Sequence, residues 1–348
     1  MTGTAVDWLH WHGALGVPQF DLPSIRSMPL LPGMRRRDCL SLLASTALCA
    51  RTATAAPTQV ALDDHMPAFW QEYDASRSGE LDARAAHLVS NFFDPSAASY
   101  IRAGMHPTLP GVTRWLPMFD AIANDVRTLH QSFAGGYAAN VARFQHALPD
   151  FDGHASPVYL VPSLFAFDAH LEPDGARLPL FFGPDGIVRL HGRDADLGVL
   201  FSHELFHCYQ AQKSPAMNLD PQPPIFASVW IEGTATYASE RLNQDATLLH
   251  VLLDDATLTQ TNAGTLRAAA GAMLECLDVT DAASQAEFFQ LGKTSSFPPR
   301  MGYYLGLLTA RSVGTSMSLP QMAALPSEEV RELVAGALRR IAAAPAAV

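Results

Sequence analysis

Residues 203–207 read His203-Glu204-Leu205-Phe206-His207, and this stretch decides how the rest of the chain is interpreted. On an α-helix, side chains at positions i and i+4 lie on the same face, one above the other. Two imidazoles at this spacing can bind a single metal ion, and Glu204 then lies beside the water that the ion carries. Zinc lowers the pKa of such a water toward ~7, so that Glu204 can accept its proton. The pentapeptide therefore predicts a metal site with hydrolytic chemistry.

The residues around the pentapeptide predict a helix that ends at Ser214-Pro215. Asp194 can act as the N-cap, and Asp196 adds negative charge to the first turn, which the helix dipole favours. A stripe of residues at helical spacing is expected to face the core: Leu197, Leu200, Phe201, Leu205 and Cys208. The alternative is that His203 and His207 are hydrogen-bonded core residues, because a short motif also arises by chance.

Glu232 is the candidate third ligand. Catalytic zinc takes three protein ligands and keeps one position for water. A second helix is predicted directly after Pro223-Pro224, and its core stripe comprises Ile231, Ala235, Ala238 and Leu242. Glu232 lies off this stripe, and an ionised glutamate on so apolar a helix is unfavourable unless it is paired or bound to a metal. The alternatives are a surface glutamate or one that is paired with an arginine.

Residues 203–210 and 230–237 together resemble the gluzincins, the zinc peptidases that have H-E-x-x-H and a downstream glutamate on a second helix. Gln210 and the run that starts at Glu232 are most similar to the predicted bacterial zinc-dependent proteases of that clan. The resemblance covers roughly residues 195–310. It implies a zincin-like catalytic unit in which His203, His207 and Glu232 bind Zn²⁺ and Glu204 is the catalytic general base.

The chain departs from the gluzincin pattern at two points. The 24 residues between His207 and Glu232 exceed the usual interval by several, so residues 218–224 are expected to form a loop that accommodates the difference. Thermolysin-like enzymes carry an aspartate four residues after the third ligand, where it orients a histidine. This chain has Thr236 at that position, so the groups that orient the ligands differ.

A tyrosine after residue 298 is the candidate for stabilising the oxyanion. The segment that begins at Pro298-Pro299 predicts an apolar helix running to about Val313. As gluzincins commonly arrange, a tyrosine hydroxyl there can donate a hydrogen bond to the tetrahedral intermediate. Tyr303 is the preferred candidate, ahead of Tyr304 and then Tyr237. The alternative is that these rings only pack in the core.

Short apolar runs upstream of the metal helix predict strands. Residues 158–161 and 164–167 are separated by Pro162, and residues 180–182 and 187–190 flank a Gly-Pro-Asp-Gly turn that is typical of a hairpin. By analogy with zincins, the edge of this small sheet would pair with an extended peptide. The alternative is a sheet that only covers the helix. The predicted fold class is therefore α+β, predominantly helical, with a small β-sheet before the active-site helix.

The chain is divided into four regions by its patterns. Residues 34–56 predict an export signal, with Arg35-Arg36-Arg37 before a short apolar stretch and a small-residue cleavage site at Ala53-Thr54-Ala55. The arginines resemble a twin-arginine signal, and the apolar stretch is too short to span a membrane. Residues 1–33 are then a leader that is non-native or disordered. Residues 57–150 predict a helical N-terminal region, and residues 151–348 the zincin-like catalytic domain.

The charge balance restricts the partners of the exported chain. Without residues 1–56 it has 18 basic and 31 acidic side chains, a net charge of −13, which argues against nucleic acid and anionic membranes. Cys208 and Cys276 are the cysteines of this part, either as a disulfide or as two thiols. The expected partner is a peptide or protein substrate, and the oligomeric state is left open.

Two function classes follow from these patterns. The first is an exported zinc-dependent peptidase, either an endopeptidase or an aminopeptidase. The second is a catalytically inactive zincin-fold protein that serves as a binding module or scaffold. Glu204 favours the enzyme, because a structural metal site needs no base and normally has four protein ligands.

Overall fold

The structure is a computed structural model and describes residues 62–174, 177–290 and 296–345. The predicted leader, residues 1–33, and the predicted export signal, residues 34–56, lie outside the described residues. The fold is predominantly helical with one small mixed sheet, which confirms the α+β class. No helix in the described part of the chain combines the length and the apolar character that a membrane span requires.

The N-terminal part of the described chain is built on one very long helix. Its four helices are α1 (Met66–Ser76), α2 (Leu81–Leu88), α3 (Ala97–Arg102) and α4 (Leu109–Ala147), with a π-helical turn at Val89–Phe93. Helix α4 has 39 residues and spans ~58 Å at 1.5 Å per residue. Thr108 caps its first turn by accepting a hydrogen bond from the Gly111 N–H. Aromatic side chains from α1 and α4 pack in the interior, for example Phe69 against Phe119.

The sheet has four strands of three residues each: β1 (Leu62–Asp64), β2 (Val158–Leu160), β3 (Ala169–Leu171) and β4 (Leu180–Phe182). Their spatial order is β1-β2-β4-β3. Strand β2 is parallel to β1 and β4, whereas β3 pairs with β4 in the antiparallel sense. Strand β1 comes from the predicted N-terminal region and joins strands of the predicted catalytic domain, and β3 occupies one edge of the sheet.

Two of the predicted strands were wrong. Residues 164–167 form a turn, in which Leu164 and Phe165 have φ values of 53° and 62°. The predicted hairpin after residue 182 is a helix instead, α5 (Pro184–His191), because Pro184 begins a helix turn well and Asp185 then points into the core. There the Asp185 carboxylate accepts hydrogen bonds from the Ser163 N–H at 2.7 Å, the Phe165 N–H at 2.9 Å and the Trp115 indole at 3.1 Å.

The remaining helices follow the sheet in sequence. They are α6 (Leu197–Lys213), α7 (Pro215–Asn218), α8 (Ile225–Leu242), α9 (Leu248–Val251), α10 (Ala256–Thr259), α11 (Ala263–Glu275), α12 (Ala282–Phe289), α13 (Met301–Val313), α14 (Leu319–Ala323) and α15 (Ser327–Ala342). The predicted ends of the metal helix at Ser214 and of the tyrosine helix at Val313 are confirmed.

Buried apolar side chains form two clusters, which meet at α8. The first core is built by α1, α4, the sheet and α6, and includes Phe69, Phe182 and Phe201. The second core is built by α11, α13 and α15 with the start of α8, and includes Trp230 and Leu305. Because α8 contributes residues to both clusters and packs on α6 and α13, it places side chains at the boundary between the two cores.

Candidate metal centre

Helix α6 carries the H-E-x-x-H sequence and is buried on almost every side. Every residue from 199 to 210 is buried, rather than a single stripe, because α4 and α8 pack on the helix and Phe182 of the sheet contacts Phe201. The N-cap is Asp196, whose carboxylate accepts a hydrogen bond from the Gly198 N–H at 3.0 Å. The prediction of Asp194 as the N-cap was wrong, since Asp196 makes that bond and the helix starts at Leu197.

Two hydrogen bonds join α6 to α8 on either side of the histidines. The Asn243 amide, at the end of α8, donates to the Ser202 hydroxyl at 3.1 Å. The Gln210 amide donates to the Thr234 hydroxyl at 2.7 Å. Ser202 directly precedes His203, and Gln210 lies one turn after His207. The two helices are therefore fixed against each other along the stretch that carries the candidate ligands.

The ligand atoms of His203, His207 and Glu232 converge. The two Nε2 atoms are 3.0 Å apart, and Glu232 Oε2 lies 3.3 Å from His203 Nε2 and 3.4 Å from His207 Nε2. A tetrahedral zinc ion with bonds of ~2.0–2.1 Å separates its ligand atoms by about 3.3 Å. Among the described residues, these side chains form the one group of three or more His, Cys, Asp or Glu residues that could hold a metal ion. The structure thus brings together the three predicted ligands in a geometry that fits a tetrahedral ion.

Three buried polar atoms of this group lack a hydrogen-bond partner among the described residues: His203 Nδ1, His207 Nδ1 and Glu232 Oε2. Buried polar atoms are normally satisfied. Glu232 Oε2 faces both imidazoles, so a metal ion between them would satisfy it. Thr236, which replaces the aspartate of the thermolysin-like pattern, donates to the Glu232 carbonyl oxygen at 2.7 Å and leaves both Nδ1 atoms without support.

The three candidate ligands strongly affect one another's pKa values. Burial lowers the pKa of His203 to about 4. Burial opposes the ionisation of Glu232, but the two imidazoles outweigh it and hold the pKa of that carboxyl well below its usual range. Burial likewise disfavours the charged form of His207, yet the Glu232 carboxylate beside it raises the pKa of His207. Since a metal ion binds the neutral imidazole, protonation of His207 competes with metal binding.

Glu204, which follows His203 directly, has a buried and unpaired carboxyl group. It is 7% exposed, and its carboxylate makes no hydrogen bond and no ion pair to the described residues. Burial raises the pKa of Glu204 to about 8, and the nearby Asp168 adds to this while His207 opposes it. A cation bound by the neighbouring histidines would lower this pKa and favour the carboxylate form.

The structure distinguishes the three candidate tyrosines. The Tyr303 ring stacks on the His203 ring, with centroids 6.1 Å apart and an interplanar angle of 16°. Tyr304 packs against the second core instead. The Tyr237 hydroxyl lies against Gly314, where an added Cβ would be 2.4 Å from it. Tyr303 is therefore the candidate that the structure brings beside a ligand.

A contact between two glycines sets the position of Tyr303. Helices α8 and α13 cross at Gly233 and Gly306, next to Glu232 and one turn from Tyr303. A Cβ on Gly233 would lie 2.3 Å from the Gly306 carbonyl carbon, and one on Gly306 would lie 2.6 Å from the Val229 oxygen. Only glycine allows this approach of the two backbones, so the crossing holds the tyrosine helix against the third-ligand helix.

Comparison with known proteins adds no family to this geometry. No protein-family model, no curated protein and no solved structure matches the chain. The gluzincin resemblance of residues 203–210 and 230–237 therefore stays a prediction from those motifs.

Sequence reasoning missed a cluster of polar residues beside the site. His191 donates or accepts through both ring nitrogens: Nε2 is 2.7 Å from Asp168 Oδ2, and Nδ1 is 2.9 Å from Asp254 Oδ2. Arg300 is 8% exposed and lies over the Tyr303 ring. Neither His191 nor Arg300 belongs to a local motif. The two aspartates that contact His191 are distant in the sequence, and Arg300 contacts the face of an aromatic ring rather than a charged group. Cys208 and Cys276 are free thiols and lie outside the ligand group.

Proposed function

We propose that this protein is an exported zinc-dependent peptidase of the gluzincin type, which hydrolyses peptide bonds with a metal-activated water. The observation that carries the proposal is the convergence of three ligand atoms at tetrahedral separations beside the unpaired Glu204. His203, His207 and Glu232 would hold Zn²⁺, since two imidazoles and one carboxylate are a typical set for catalytic zinc. When bound, zinc would polarise the scissile carbonyl and lower the pKa of a water in its remaining position.

The chain's own residues have distinct roles in this proposal. Glu204 accepts the proton of the attacking water and delivers it to the leaving amine. The Tyr303 hydroxyl, which makes no hydrogen bond to the described residues, donates to the oxygen on which negative charge develops. Burial raises the pKa of Tyr303 well above its usual value, so the hydroxyl keeps its proton and remains a donor.

The edge of the sheet supports a peptide as the substrate. Strand β3 pairs with β4 on one side only, so its other side can accept an extended peptide as a further strand. Asp168 precedes β3 and its charge helps to raise the pKa of Glu204, which supports a position of this strand near the candidate base. A peptide that is bound along β3 would present its backbone near the three ligands.

The exported location rests on the sequence alone. Residues 34–56 combine three arginines, a short apolar stretch and a small-residue cleavage site. A net charge of −13 for the remaining chain supports a peptide or protein substrate rather than nucleic acid or an anionic membrane.

A peptide library tests the proposed function. Metal-loaded wild type is incubated with a diverse library, and cleavage is read by mass spectrometry. Glu204→Gln should retain the metal and lose ~10²–10⁴-fold in rate, because it removes the base without removing a ligand. Tyr303→Phe should retain the metal and lose ~10²-fold, whereas the matched Tyr304→Phe, whose ring packs in the second core, should cleave like wild type.

Two outcomes would contradict the peptidase. Cleavage that persists undiminished in Glu204→Gln would show that another mechanism or a contaminant is responsible. An intact, metal-loaded wild type that cleaves no peptide would favour the inactive scaffold.

A further inference from the structure

Arg300 occupies a conformationally costly position at the start of α13. Its φ and ψ angles are 60° and 23°, in the left-handed region, which is unfavourable for a non-glycine residue. The side chain is 8% exposed, and its guanidinium carbon lies 4.3 Å from the centre of the Tyr303 ring. Tyr303 in turn stacks on His203. One aromatic ring thus separates the guanidinium from a candidate metal ligand.

The guanidinium has no anionic partner in the described part of the chain. Several other arginines of the described chain form ion pairs, for example Arg127 with Asp74 at 2.8 Å and Arg331 with Asp278 at 2.6 Å. Among the described residues, no carboxylate forms an ion pair with Arg300 and no acceptor receives a hydrogen bond from it. A charged group that is this buried is normally paired, because its desolvation is otherwise uncompensated.

The acidic groups around Arg300 act on it only from a distance. Asp168 is occupied by His191 and by the Ala169 N–H, which donates to its other oxygen at 2.7 Å. Glu232 is directed at the two imidazoles. Glu204 faces the same region without contact to Arg300. The guanidinium nitrogens keep some exposure to solvent.

We propose that Arg300 is a specificity-determining residue that binds a carboxylate of the peptide substrate close to the scissile bond; this inference rests on the proposed function. A guanidinium presents parallel N–H groups that match the two oxygens of a carboxylate. The guanidinium carbon of Arg300 lies no farther from the centre of the His203 ring than the sum of two distances: guanidinium carbon to Tyr303 ring and Tyr303 ring to His203 ring. This sum corresponds to about three extended residues at ~3.3–3.6 Å each. The carboxylate therefore belongs to one of the few residues next to the cleaved bond.

Two groups of a peptide offer this chemistry: the C-terminal carboxylate and an aspartate or glutamate side chain. Random hexapeptide libraries distinguish them when one library is made with free C-termini and the same library is made as C-terminal amides. Within each library, Asp and Glu are compared with Asn and Gln at each position. The libraries are used both for cleavage by metal-loaded wild type and for retention on immobilised, metal-loaded Glu204→Gln, which is expected to bind without turnover.

Wild type should cleave carboxylate-bearing peptides at least 10-fold faster than their neutral isosteres, and Glu204→Gln should retain them with a similar preference. Arg300→Gln should lose this preference, and its rate should fall further on carboxylate-bearing peptides than on neutral ones. Arg300→Lys should keep part of it, because a lysine supplies charge without the planar fork. Arg193→Gln removes a charge from an exposed arginine and should keep all of it. Zinc content and the melting temperature are measured for each variant.

The proposal would be overturned if wild type cleaved charged and neutral peptides equally and Glu204→Gln retained them equally. This outcome needs no Arg300 variant. A parallel fall on both peptide types in Arg300→Gln, with zinc retained, would assign Arg300 to the support of Tyr303 instead. The retention experiment does not need turnover. A failure of the peptidase proposal therefore appears as absent cleavage, whereas a failure of the Arg300 proposal appears as retention without preference.

Discussion

Glu232 is the candidate ligand at which metal binding can be tested separately from folding. It lies on a different helix from His203 and His207, and 22% of its side chain is exposed. Glu240, two turns later on α8, offers a carboxylate of the same kind that pairs with Arg311 and not with the histidines. These two glutamates form a matched pair for mutagenesis on one helix.

Glu232→Gln should weaken zinc retention 10-fold or more, because it removes the anionic ligand and leaves two neutral imidazoles. Glu240→Gln should retain zinc like wild type. His203→Ala and His207→Ala should both fail to retain it. Elemental analysis after dialysis against a weak chelator measures the zinc per chain. Retention that is lost in Glu240→Gln and kept in Glu232→Gln would mean that α8 presents a different face to α6.

The candidate ligands were predictable at the residue level because the chemistry restricts their spacing. Positions i and i+4 on one helix suffice to select His203 and His207, and an uncompensated glutamate on an apolar helix selects Glu232. Arg300 and His191 were not predictable in the same way. The role of Arg300 depends on the absence of a partner, and that of His191 on Asp168 and Asp254, which lie 23 and 63 positions away.

At the level of elements, the helices were predicted better than the strands. Helical periodicity over ten or more residues identified α6, α8 and α13, whose apolar faces are long enough to be distinctive. Strands of three residues carry little periodicity. The Gly-Pro-Asp-Gly sequence is as suitable for a helix start as for a turn. The hydrogen bonds of the buried Asp185 decide between them, and these partners are distant in the chain.

The crossing of α8 and α13 makes a prediction for Gly306. Gly306→Ala should destabilise the fold by ~1–3 kcal/mol and weaken zinc retention, because the new methyl group would lie 2.6 Å from the Val229 oxygen and separate the helices. Gly271→Ala on α11 is the matched control, since nothing lies within 4 Å of its Cβ position. It should be neutral or more stable by up to ~1 kcal/mol. Denaturant unfolding measures both. Equal stability of the two variants would contradict the close crossing.

At the scale of the whole molecule, His191 connects three segments that are remote in the chain. It lies at the end of α5 and bonds to Asp168 before β3 and to Asp254 after α9. Burial disfavours the imidazolium, but the hydrogen bonds to the two aspartates outweigh it and raise the pKa of His191 to about 9. Because the imidazolium binds both carboxylates, its charge stabilises the contact among the three segments.

This shift predicts a pH dependence of stability. An unfolded histidine has a pKa of about 6.5, so the folded protein binds the proton more tightly between pH ~6.5 and ~9. The stabilisation is complete below pH ~6.5 and is lost as the pH rises to ~9, a loss on the order of 3 kcal/mol. Melting temperatures in chelator should therefore show His191→Gln well below wild type at pH 6 and closer to it at pH 9.5. His250→Gln, on α9, should follow wild type. If the difference in melting temperature between His191→Gln and wild type were constant with pH, the charge of His191 would not stabilise this contact.

The short edge strand has a consequence for the behaviour of the protein in concentrated solution. An open strand edge is a hazard for aggregation, because a second chain can extend the sheet. Strand β3 offers only three residues, and Glu172 and Pro173 follow it directly. Proline lacks the N–H that a longer strand pairing would need, and the Glu172 charge repels the Glu172 charge of a second chain. The edge is thus long enough to pair with a few residues of the proposed peptide substrate and too short to seed polymerisation of the protein through its sheet.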